Sequence, residues 1–337
     1  MRSEINYKQL FKSFASQKVL IIGDVMIDAY LLGKVDRISP EAPVPVVVIN
    51  QRESRLGGAA NCALNIQALG AEPILCSVIG DDNKGNEFIE LLLDNKITEV
   101  GILRSKKRIT TTKYRIIGNN AQMLRVDEEI TDSLDNQDNE AFINLVEKII
   151  ANNKIGSVIF QDYDKGVITP LLIEKLIPIF NELNIPIAVD PKKRNFHLYK
   201  NVSLFKPNLK ELKEGLQIEF DAQSTKELSE AVTLLLEKHN VRIALTTLSE
   251  KGIYLSCNSR DKGRLNELIP AHVRAIADVS GAGDTVISTA ALCLALDLKA
   301  YDIAYISNLA GGLVCEQVGV VPVDKERLLK ELTTLKQ

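Results

Sequence analysis

The segment DVSGAGDT at residues 278–285 runs directly into the apolar stretch Val286–Leu296, which predicts a tight glycine turn followed by a buried helix. A Gly-Ala-Gly turn lets backbone N–H groups approach an anion closely, and the dipole of the following helix adds to the attraction. Asp284 in the first turn has two interpretations, a helix cap or a general base directed at the bound anion. The segment alone favours the cap, so the choice depends on the rest of the chain.

Short apolar runs alternate with amphipathic stretches along nearly the whole chain. The apolar runs bounded by Gly, Pro or Asp are predicted strands, at Lys18–Gly23, Pro73–Gly80, Ser157–Phe160, Ile185–Asp190 and Arg242–Thr247. The amphipathic stretches between them are predicted helices, at Asn61–Leu69, Asn86–Asn95, Asn139–Ala151, Pro170–Leu183 and Lys226–His239. This alternation predicts a parallel sheet covered by helices on both faces, with ligands at the carboxyl ends of its strands.

Two stretches interrupt the alternation with strand patterns that have no helix between them. Arg37–Gln51 contains three prolines and then VVVIN, and Thr110–Asp127 contains two strand patterns around a turn. We expect them to form a small antiparallel lid, built from about residues 30–52 and 108–127 beside the main sheet. Because no Gly- or Ser-rich linker divides the chain, residues 1–337 are expected to form a single domain.

Composition excludes several classes of protein. The 337 residues include 41 Lys and Arg against 44 Asp and Glu, a formal net charge of −3, so no overall positive field attracts nucleic acid. Trp is absent and aromatic residues make up 5%, which disfavours base-stacking surfaces. The five cysteines form no CxxC pair, so neither a zinc site nor a disulfide framework is indicated. Without a signal peptide or an 18-residue apolar run, the chain is expected to be cytoplasmic and not to bind membranes.

Three further motifs lie where predicted strands end or the first predicted helix begins. They are GDVMID at residues 23–28, GGAAN at 57–61 and KPNLKE at 206–211. Together with GAGDT at 281–285, this set resembles the ribokinase/phosphofructokinase-B superfamily of sugar kinases over nearly the whole chain. The resemblance implies a ribokinase-like α/β fold, in which helices flank a central, mostly parallel sheet beside a small antiparallel β lid. It also implies ATP-dependent phosphorylation of a sugar with the help of Mg²⁺.

Five more motifs resemble one branch of that superfamily, the heptose-phosphate kinases of ADP-heptose synthesis. They are RISPEAPVPVV at 37–47, TTKYR at 111–115, QMLRVD at 122–127, DYDKG at 162–166 and VDPK at 189–192. The branch phosphorylates D-glycero-β-D-manno-heptose 7-phosphate at the anomeric oxygen, and the 1,7-bisphosphate product feeds lipopolysaccharide core synthesis. Many members carry an adenylyltransferase domain after the kinase. Because the chain has no HxGH motif, we expect a kinase without that C-terminal domain.

Two other functions stay open. One is another kinase of the same fold, such as a fructokinase that acts on a neutral sugar. The other is a non-catalytic sugar- or nucleotide-binding protein, since a fold does not fix a function. The lid motifs disfavour the first alternative, and the intact Asp284 after Gly-Ala-Gly disfavours the second.

The resemblance assigns roles to the residues that match its motifs. Asp284 corresponds to the catalytic base. The residues that correspond to the anion hole, which stabilises charge on the transferring phosphoryl group, are Gly281, Ala282 and Gly283. The residues that correspond to sugar ligands, or that let the sugar approach the backbone, are Asp28, Gly57, Gly58 and Asn61.

The nucleotide side is assigned in the same way. Residues 208–211 correspond to the family motif that is associated with Mg²⁺ and the nucleotide phosphates. The resemblance implies Asn208 and Glu211 as metal ligands, with Leu209 and Lys210 between them. The residues that correspond to further nucleotide contacts, each equally explained by an ordinary loop or helix role, are Thr247, Ser249, Gly252 and Asn308. Asp278 corresponds to the site of a stimulating monovalent cation in relatives, and turn capping explains it equally well.

A 7-phosphate must be met by cations held near the sugar. Lys165 is the first candidate because it follows the predicted strand Ser157–Phe160 at the ligand edge of the sheet. Arg115 and Arg125 of the lid are the second candidates, with a surface ion pair as an equal alternative for each. The apolar run Val44–Ile49, which a small lid cannot bury alone, predicts a homodimer whose lids cover each other's sites.

Overall fold

The computed structural model describes residues 5–259, 263–272 and 274–334. The helices within these residues are α1 (Tyr7–Phe14), α2 (Ala59–Ala68), α3 (Asn83–Asp94), α4 (Asn136–Asn152), α5 (Pro170–Glu182), α6 (Leu209–Leu216), α7 (Thr225–His239), α8 (Ala282–Ala295), α9 (Ala300–Val314) and α10 (Lys325–Thr334). The strands are β1 (Lys18–Gly23), β2 (Val25–Ile38), β3 (Pro45–Gly58), β4 (Glu72–Gly80), β5 (Gly101–Ser105), β6 (Thr112–Gly118), β7 (Ala121–Glu128), β8 (Ser157–Gln161), β9 (Ile187–Asp190), β10 (Leu204–Phe205), β11 (Ile243–Thr247), β12 (Ile253–Ser259) and β13 (Gly263–Ile269).

The larger sheet is mostly parallel, as the sequence predicts. Its strand order is β13-β12-β11-β10-β9-β8-β1-β4-β5. The strands from β11 to β5 run parallel, and β12 and β13 form an antiparallel edge. β1 is buried from Val19 to Gly23, and such a continuous apolar run is typical of a strand covered on both faces.

The five predicted strands of this sheet are all present, with ends that differ by at most two residues. β9 begins at Ile187 rather than Ile185 because Pro186 has no N–H to donate to the ladder. The five predicted helices are also present. β5 and the β12–β13 hairpin are not among the predicted strands, because they lie at the two edges of the sheet and lack a continuous apolar run.

Four strands form the lid sheet in the order β3-β2-β6-β7. The β2–β3 and β6–β7 hairpins are antiparallel, as predicted, whereas β2 and β6 pair in parallel. This parallel junction joins two hairpins from separate parts of the chain edge to edge. The lid also extends beyond residues 30–52 and 108–127, since its strands begin at Val25 and continue to Gly58 and Glu128.

Apolar side chains pack on both faces of the larger sheet. One cluster draws on α1, α2, α8 and α9, and the other on α4, α5 and α7. Helix α8 packs on β8 and β9, so its first turn lies at the carboxyl edge of the sheet. Among the described residues, no helix has the length and apolar character needed to cross a bilayer.

Candidate active site

Asp284 lies in the first turn of α8, where several distant parts of the chain meet. Its Oδ2 accepts a hydrogen bond from Asn61 Nδ2 at 2.7 Å, which ties α8 to the start of α2. Its Oδ1 accepts from Gln161 Nε2 at 3.1 Å and from the Tyr163 hydroxyl at 2.7 Å. The residue is only 5% exposed. The candidate base is therefore buried at the carboxyl edge of the sheet with three donors around it.

Burial raises the pKa of Asp284 to about 6, although the hydrogen bonds it accepts lower it. A carboxylate with this pKa is ionised at pH 7 and still basic enough to take a proton from a hydroxyl, as a general base must. Gln161 also donates to Asp190 at 3.1 Å, and Asp190 forms a buried ion pair with Lys206 at 3.0 Å. A network of buried polar groups thus surrounds the base.

The turn before α8 requires glycine at its first position. Gly281 has a φ of 80°, and a Cβ there would lie 2.9 Å from Asn61 Nδ2. The Ala282 N–H donates to the Val279 carbonyl at 3.3 Å, whereas Gly283 lies in the first helical turn, where N–H groups lack intrahelical acceptors. A Cβ at Gly283 would lie 3.5 Å from Lys206 Nζ. This end of α8 therefore places the N–H groups of a first helical turn beside Lys206, which also pairs with Asp190, and a helix N-terminus with a cation beside it suits an anion.

The predicted sugar residues lie on the lid strands β2 and β3 and in the first turn of α2. Asp28 is buried on β2, and a Cβ at Gly57 would lie 2.4 Å from its Oδ2, so only glycine fits there. Gly58, with a φ of 62°, precedes α2 and sets its direction. Asn61 follows one turn later and reaches Asp284.

One predicted lid cation lies beside these sugar ligands. Arg115 forms an ion pair with Asp28, and its guanidinium lies 5.4 Å from the centre of the Tyr30 ring. Arg55 approaches the same ring at 5.1 Å, and a Cβ at Gly319 would lie 2.6 Å from its Nη1. The sequence analysis did not single out Arg55 or Tyr30, because their proximity depends on how the lid strands pair.

The other two predicted cations are placed differently. Lys165 Nζ lies 2.7 Å from the carboxylate of Glu129, which also pairs with a second lysine. Arg125 pairs with Asp127 at 3.0 Å, and its side chain is 55% exposed. Of the three predicted cations, Arg115 is therefore the one in contact with a predicted sugar ligand.

A cavity of about 320 Å³ opens beside the first turn of α8. It brings together the predicted nucleotide residues Thr247, Ser249, Gly252 and Asn308. Its apolar walls include Ile253, Ile276, Val279 and Val286. Asn308 Nδ2 donates to the carbonyls of Ile269 and Pro270 at 3.3 and 2.9 Å, so its amide also holds the segment after β13. Because Gly283 is part of the lining, the cavity extends to the turn predicted to bind an anion.

Asn208 and Glu211 form a capping box at the start of α6. Asn208 Oδ1 accepts from the Glu211 N–H at 2.8 Å, and Glu211 Oε2 accepts from the Asn208 N–H at 2.9 Å. The other carboxylate oxygen of Glu211 pairs with Lys192. Asn208 also forms a backbone bridge to Thr247, which places the motif next to the loop that lines the cavity.

A magnesium site at this motif would have to be completed by water and substrate, because Asn208 Oδ1 and both carboxylate oxygens of Glu211 already have partners. Within the described ranges, no cluster of three or more His, Cys, Asp or Glu side chains could form a metal cage. Mg²⁺ usually keeps several waters and binds one or two carboxylates together with substrate phosphates. Direct ligation by Glu211 requires Lys192 to move, whereas ligation through water does not. Between the motif ends, Leu209 packs on the apolar core and Lys210 is exposed to solvent.

Asp278 stabilises its own turn. One carboxylate oxygen accepts from the Ser280 N–H at 2.9 Å and the other from the Gly319 N–H at 3.0 Å. Burial acts to raise the pKa of this carboxyl, but the backbone hydrogen bonds outweigh it and the pKa is lowered. The turn interpretation accounts for both oxygens, and a monovalent cation at Asp278 stays a proposal.

Gln161 and Tyr163 are candidate functional residues that the sequence analysis missed. Gln161 ends β8 and Tyr163 follows two residues later, so both lie at the ligand edge of the sheet. The available signal was the DYDKG motif after a predicted strand, from which only Lys165 was selected.

The fold and the site define a sugar kinase. The chain belongs to the pfkB family of carbohydrate kinases, since residues 16–326 match that family as a whole. This match confirms the predicted class of enzyme, which transfers a phosphoryl group to a carbohydrate.

Two curated relatives are close in sequence. The bifunctional protein HldE of Helicobacter pylori strain HPAG1 is 40% identical over 304 residues, which cover 90% of this chain and 64% of the relative. The bifunctional protein HldE of Aliarcobacter butzleri is 39% identical over 301 residues, which cover 89% of this chain and 61% of the relative. The chain therefore spans a little less than two thirds of the length of these relatives.

Solved structures share the fold at low sequence identity. Phosphofructokinase-2 from Escherichia coli in complex with potassium superposes with a TM-score of 0.77 at 16% identity, covering 95% of this chain and 99% of that one. Arabidopsis thaliana ribokinase complexed with ribose and ATP superposes with a TM-score of 0.69 at 16% identity, covering 93% and 98%. These likenesses confirm the ribokinase-like α/β fold.

Proposed function

We propose that the protein transfers the γ-phosphoryl group of ATP to the anomeric oxygen of D-glycero-β-D-manno-heptose 7-phosphate, giving heptose 1,7-bisphosphate and ADP. The observation that carries the proposal is the position of Asp284, which accepts a hydrogen bond from the predicted sugar ligand Asn61 and adjoins Gly283 at the wall of the cavity. Membership of the pfkB family supports phosphoryl transfer to a sugar. The similarity to proteins named HldE, together with the lid motifs, supports heptose phosphate as the acceptor.

In the proposed reaction, Asp284 accepts the proton of the anomeric hydroxyl as that oxygen attacks the γ-phosphorus. The bond between the γ-phosphorus and the β,γ-bridging oxygen breaks, and ADP leaves with that oxygen. The first turn of α8 at Gly283, with Lys206 beside it, stabilises the negative charge of the transferring group. Bound Mg²⁺, held near Asn208 and Glu211, would neutralise phosphate charge.

We assign the 7-phosphate end of the substrate to the lid. A sugar whose hydroxyls bind Asp28 lies next to Arg115, because the two side chains are already paired. Arg55, which pairs with Glu53 at 2.5 Å, lies close to the same Tyr30 ring and adds a second guanidinium. Two guanidinium groups suit a phosphate dianion, since each can donate two parallel hydrogen bonds. Lys165 is less suitable because its partner, Glu129, is not one of the predicted sugar ligands.

The cellular assignments follow from the proposed reaction. We place the product in ADP-heptose and lipopolysaccharide core synthesis, and the reaction in the cytoplasm, with ATP and a sugar phosphate as the partners. Residues 16–326 would act as one kinase domain, with the lid over the sugar side of the site.

A substrate panel tests the proposal. The protein is given ATP with D-glycero-D-manno-heptose 7-phosphate, with the same heptose lacking the phosphate, or with fructose, and ADP release is followed. We expect kcat/KM for the 7-phosphate to exceed that for the free heptose by roughly 100-fold, the value of one or two charge-assisted contacts. A preference for a free sugar would favour the fructokinase alternative. ATP binding without ADP release on any sugar would favour a non-catalytic protein.

A further inference from the structure

The hydrogen bonds on Asp284 are distributed unequally between its two oxygens. A carboxylate offers about two acceptor positions on each oxygen. Oδ1 receives both Gln161 Nε2 and the Tyr163 hydroxyl, which fill its two positions. Among the described residues, Oδ2 receives a hydrogen bond from Asn61 Nδ2 alone. One acceptor position on Oδ2 is therefore left for another donor.

We infer that Tyr163 is a positioning residue, which occupies Oδ1 of Asp284 and thereby directs the reacting sugar hydroxyl to Oδ2. The inference rests on the proposed function, since it takes Asp284 to be the base of that reaction. Tyr163 makes the shorter of the two bonds to Oδ1, 2.7 Å against 3.1 Å for Gln161. A carboxylate fixed in this way presents one defined oxygen to the substrate, so less reorganisation is needed in the transition state.

Gln161 holds two carboxylates at once, because its amide nitrogen carries two protons and donates one to Asp284 and the other to Asp190. The same Nε2 donates to Asp190 Oδ2 at 3.1 Å, and its Oε1 accepts a weak bond from the Cys62 thiol at 3.5 Å. The Tyr163 hydroxyl, in contrast, has a single proton to donate and gives it to Asp284. Tyr163 is therefore the donor dedicated to the base.

The backbone around Tyr163 holds its ring in place. The Tyr163 N–H donates to Asp24 Oδ2 at 2.8 Å. Asp24 follows β1 and also accepts from the N–H groups of Val167 at 2.9 Å and Lys165 at 3.2 Å. The ammonium group of Lys192 lies over one face of the Tyr163 ring, 5.7 Å from the ring centre. The loop after β8 is thus anchored so that the phenol points at the base.

The titration of Asp284 depends on groups from each element packed against it. These groups are Cys62 of α2, Tyr163 after β8, Asp190 of β9 and Lys206 after β10. Burial raises the pKa of Asp284 to about 6; Asp190 adds to the rise, while Tyr163 and Lys206 oppose it. Removing the Tyr163 hydroxyl deletes one group that stabilises the ionised form, so the pKa of Asp284 must rise further.

Tyr163→Phe tests the inference, with Tyr199→Phe as the matched control. Tyr199 is a buried tyrosine whose hydroxyl donates to a different carboxylate, Asp162, at 2.9 Å. We expect Tyr163→Phe to lower kcat about 10-fold, as the loss of one charge-assisted hydrogen bond implies, and to change the KM for ATP little. The acid limb of kcat/KM should move to higher pH in this variant alone. Incorporation of 3-fluorotyrosine at position 163, whose phenol is a stronger donor, should move the limb to lower pH.

A measurement without turnover separates this inference from the proposed function. The Asp284 carboxyl is titrated by ¹³C NMR, with its signal assigned by its loss in Asp284→Asn. The pKa of Asp284 should be higher in Tyr163→Phe than in the wild type, and unchanged in Tyr199→Phe. Wild-type values of kcat and of the Asp284 pKa in Tyr163→Phe would overturn the inference, as would equal shifts in both tyrosine variants. An inactive wild type that still shows the NMR shift would count against the proposed reaction and not against the placement of Tyr163.

Discussion

Asp284 must lose its proton before it can act as a base, and burial raises its pKa to about 6. In the proposed reaction the ionised form is the active one, so kcat/KM should be constant above pH 7 and fall about tenfold per pH unit well below pH 6. Steady-state rates between pH 5 and 8 give this profile.

Asp162 supplies the control for this pH profile. Burial also raises its pKa to about 6, but it accepts hydrogen bonds from Asn195 and Tyr199 rather than taking part in the site. We expect Asp162→Asn to retain the acid limb. An acid limb that disappears in this variant would mean that the profile reports Asp162, and that the pH assignment to Asp284 is incorrect.

Single site residues could be predicted from the sequence only where they belong to a local motif. Asp284 and the glycines before it are adjacent in the chain, so their shared turn is visible in the sequence. Tyr163 and Gln161 reach Asp284 across 121 and 123 residues, and nothing in their own neighbourhoods indicates that contact. The contact between Arg55 and Tyr30 could not be predicted for the same reason, since it forms only when β2 and β3 pair.

We expect the lid to determine whether the enzyme prefers a sugar phosphate or a free sugar as its substrate. We expect Arg115→Gln to raise the KM for heptose 7-phosphate by about 10–100-fold, the loss of one charge-assisted contact, with little change in the KM for ATP. Lys165→Ala should have a smaller effect because Lys165 pairs with Glu129, which is not a predicted sugar ligand, whereas Arg115 pairs with Asp28, which is one. Steady-state kinetics with each substrate varied in turn measure both values.

Arg52→Gln is the matched control for the lid variants. Arg52 is an exposed residue of β3, three positions before Arg55, and alternation along the strand places it on the opposite face. It should leave both KM values unchanged. A larger rise in the sugar KM for Lys165→Ala than for Arg115→Gln would contradict the assignment of the phosphate to Arg115.

Whole elements were predictable where burial on both faces leaves a continuous apolar run. β1 and β4 are such strands, and their predicted ends differ from the observed ones by at most one residue. β5 and the β12–β13 hairpin lie at the sheet edges and mix polar with apolar residues, so the same signal is missing. The parallel pairing of β2 with β6 could not be predicted, because it joins segments separated by the whole of β3, α2, β4, α3 and β5.

For the whole molecule, we expect a homodimer that forms through the lids. Apolar side chains of the lid are exposed, including Val48 at 55%, Leu124 at 55% and Val126 at 44%. An apolar surface of this kind on a thin sheet favours burial against a second copy. Light scattering at micromolar concentration should give twice the 37.3 kDa mass of the chain.

Leu124→Asp should convert that dimer to a monomer, because a charge at the interface would be buried without a partner. Leu183→Asp provides the control, since Leu183 is equally exposed at 54% but lies at the end of α5, outside the lid. A wild-type protein that is strictly monomeric at micromolar concentration would refute the lid interface, and so would a Leu124→Asp variant that remains dimeric.

The most direct test of the account compares the reaction products of the wild type and Asp284→Asn by ³¹P NMR. With ATP and D-glycero-D-manno-heptose 7-phosphate, the wild type should produce ADP and a second sugar phosphate signal coupled to the anomeric proton. Asp284→Asn should bind both substrates but form the bisphosphate about 10²–10⁴-fold more slowly, since it lacks the base. No anomeric phosphate from the wild type, or more than a tenth of wild-type turnover in Asp284→Asn, would contradict the account.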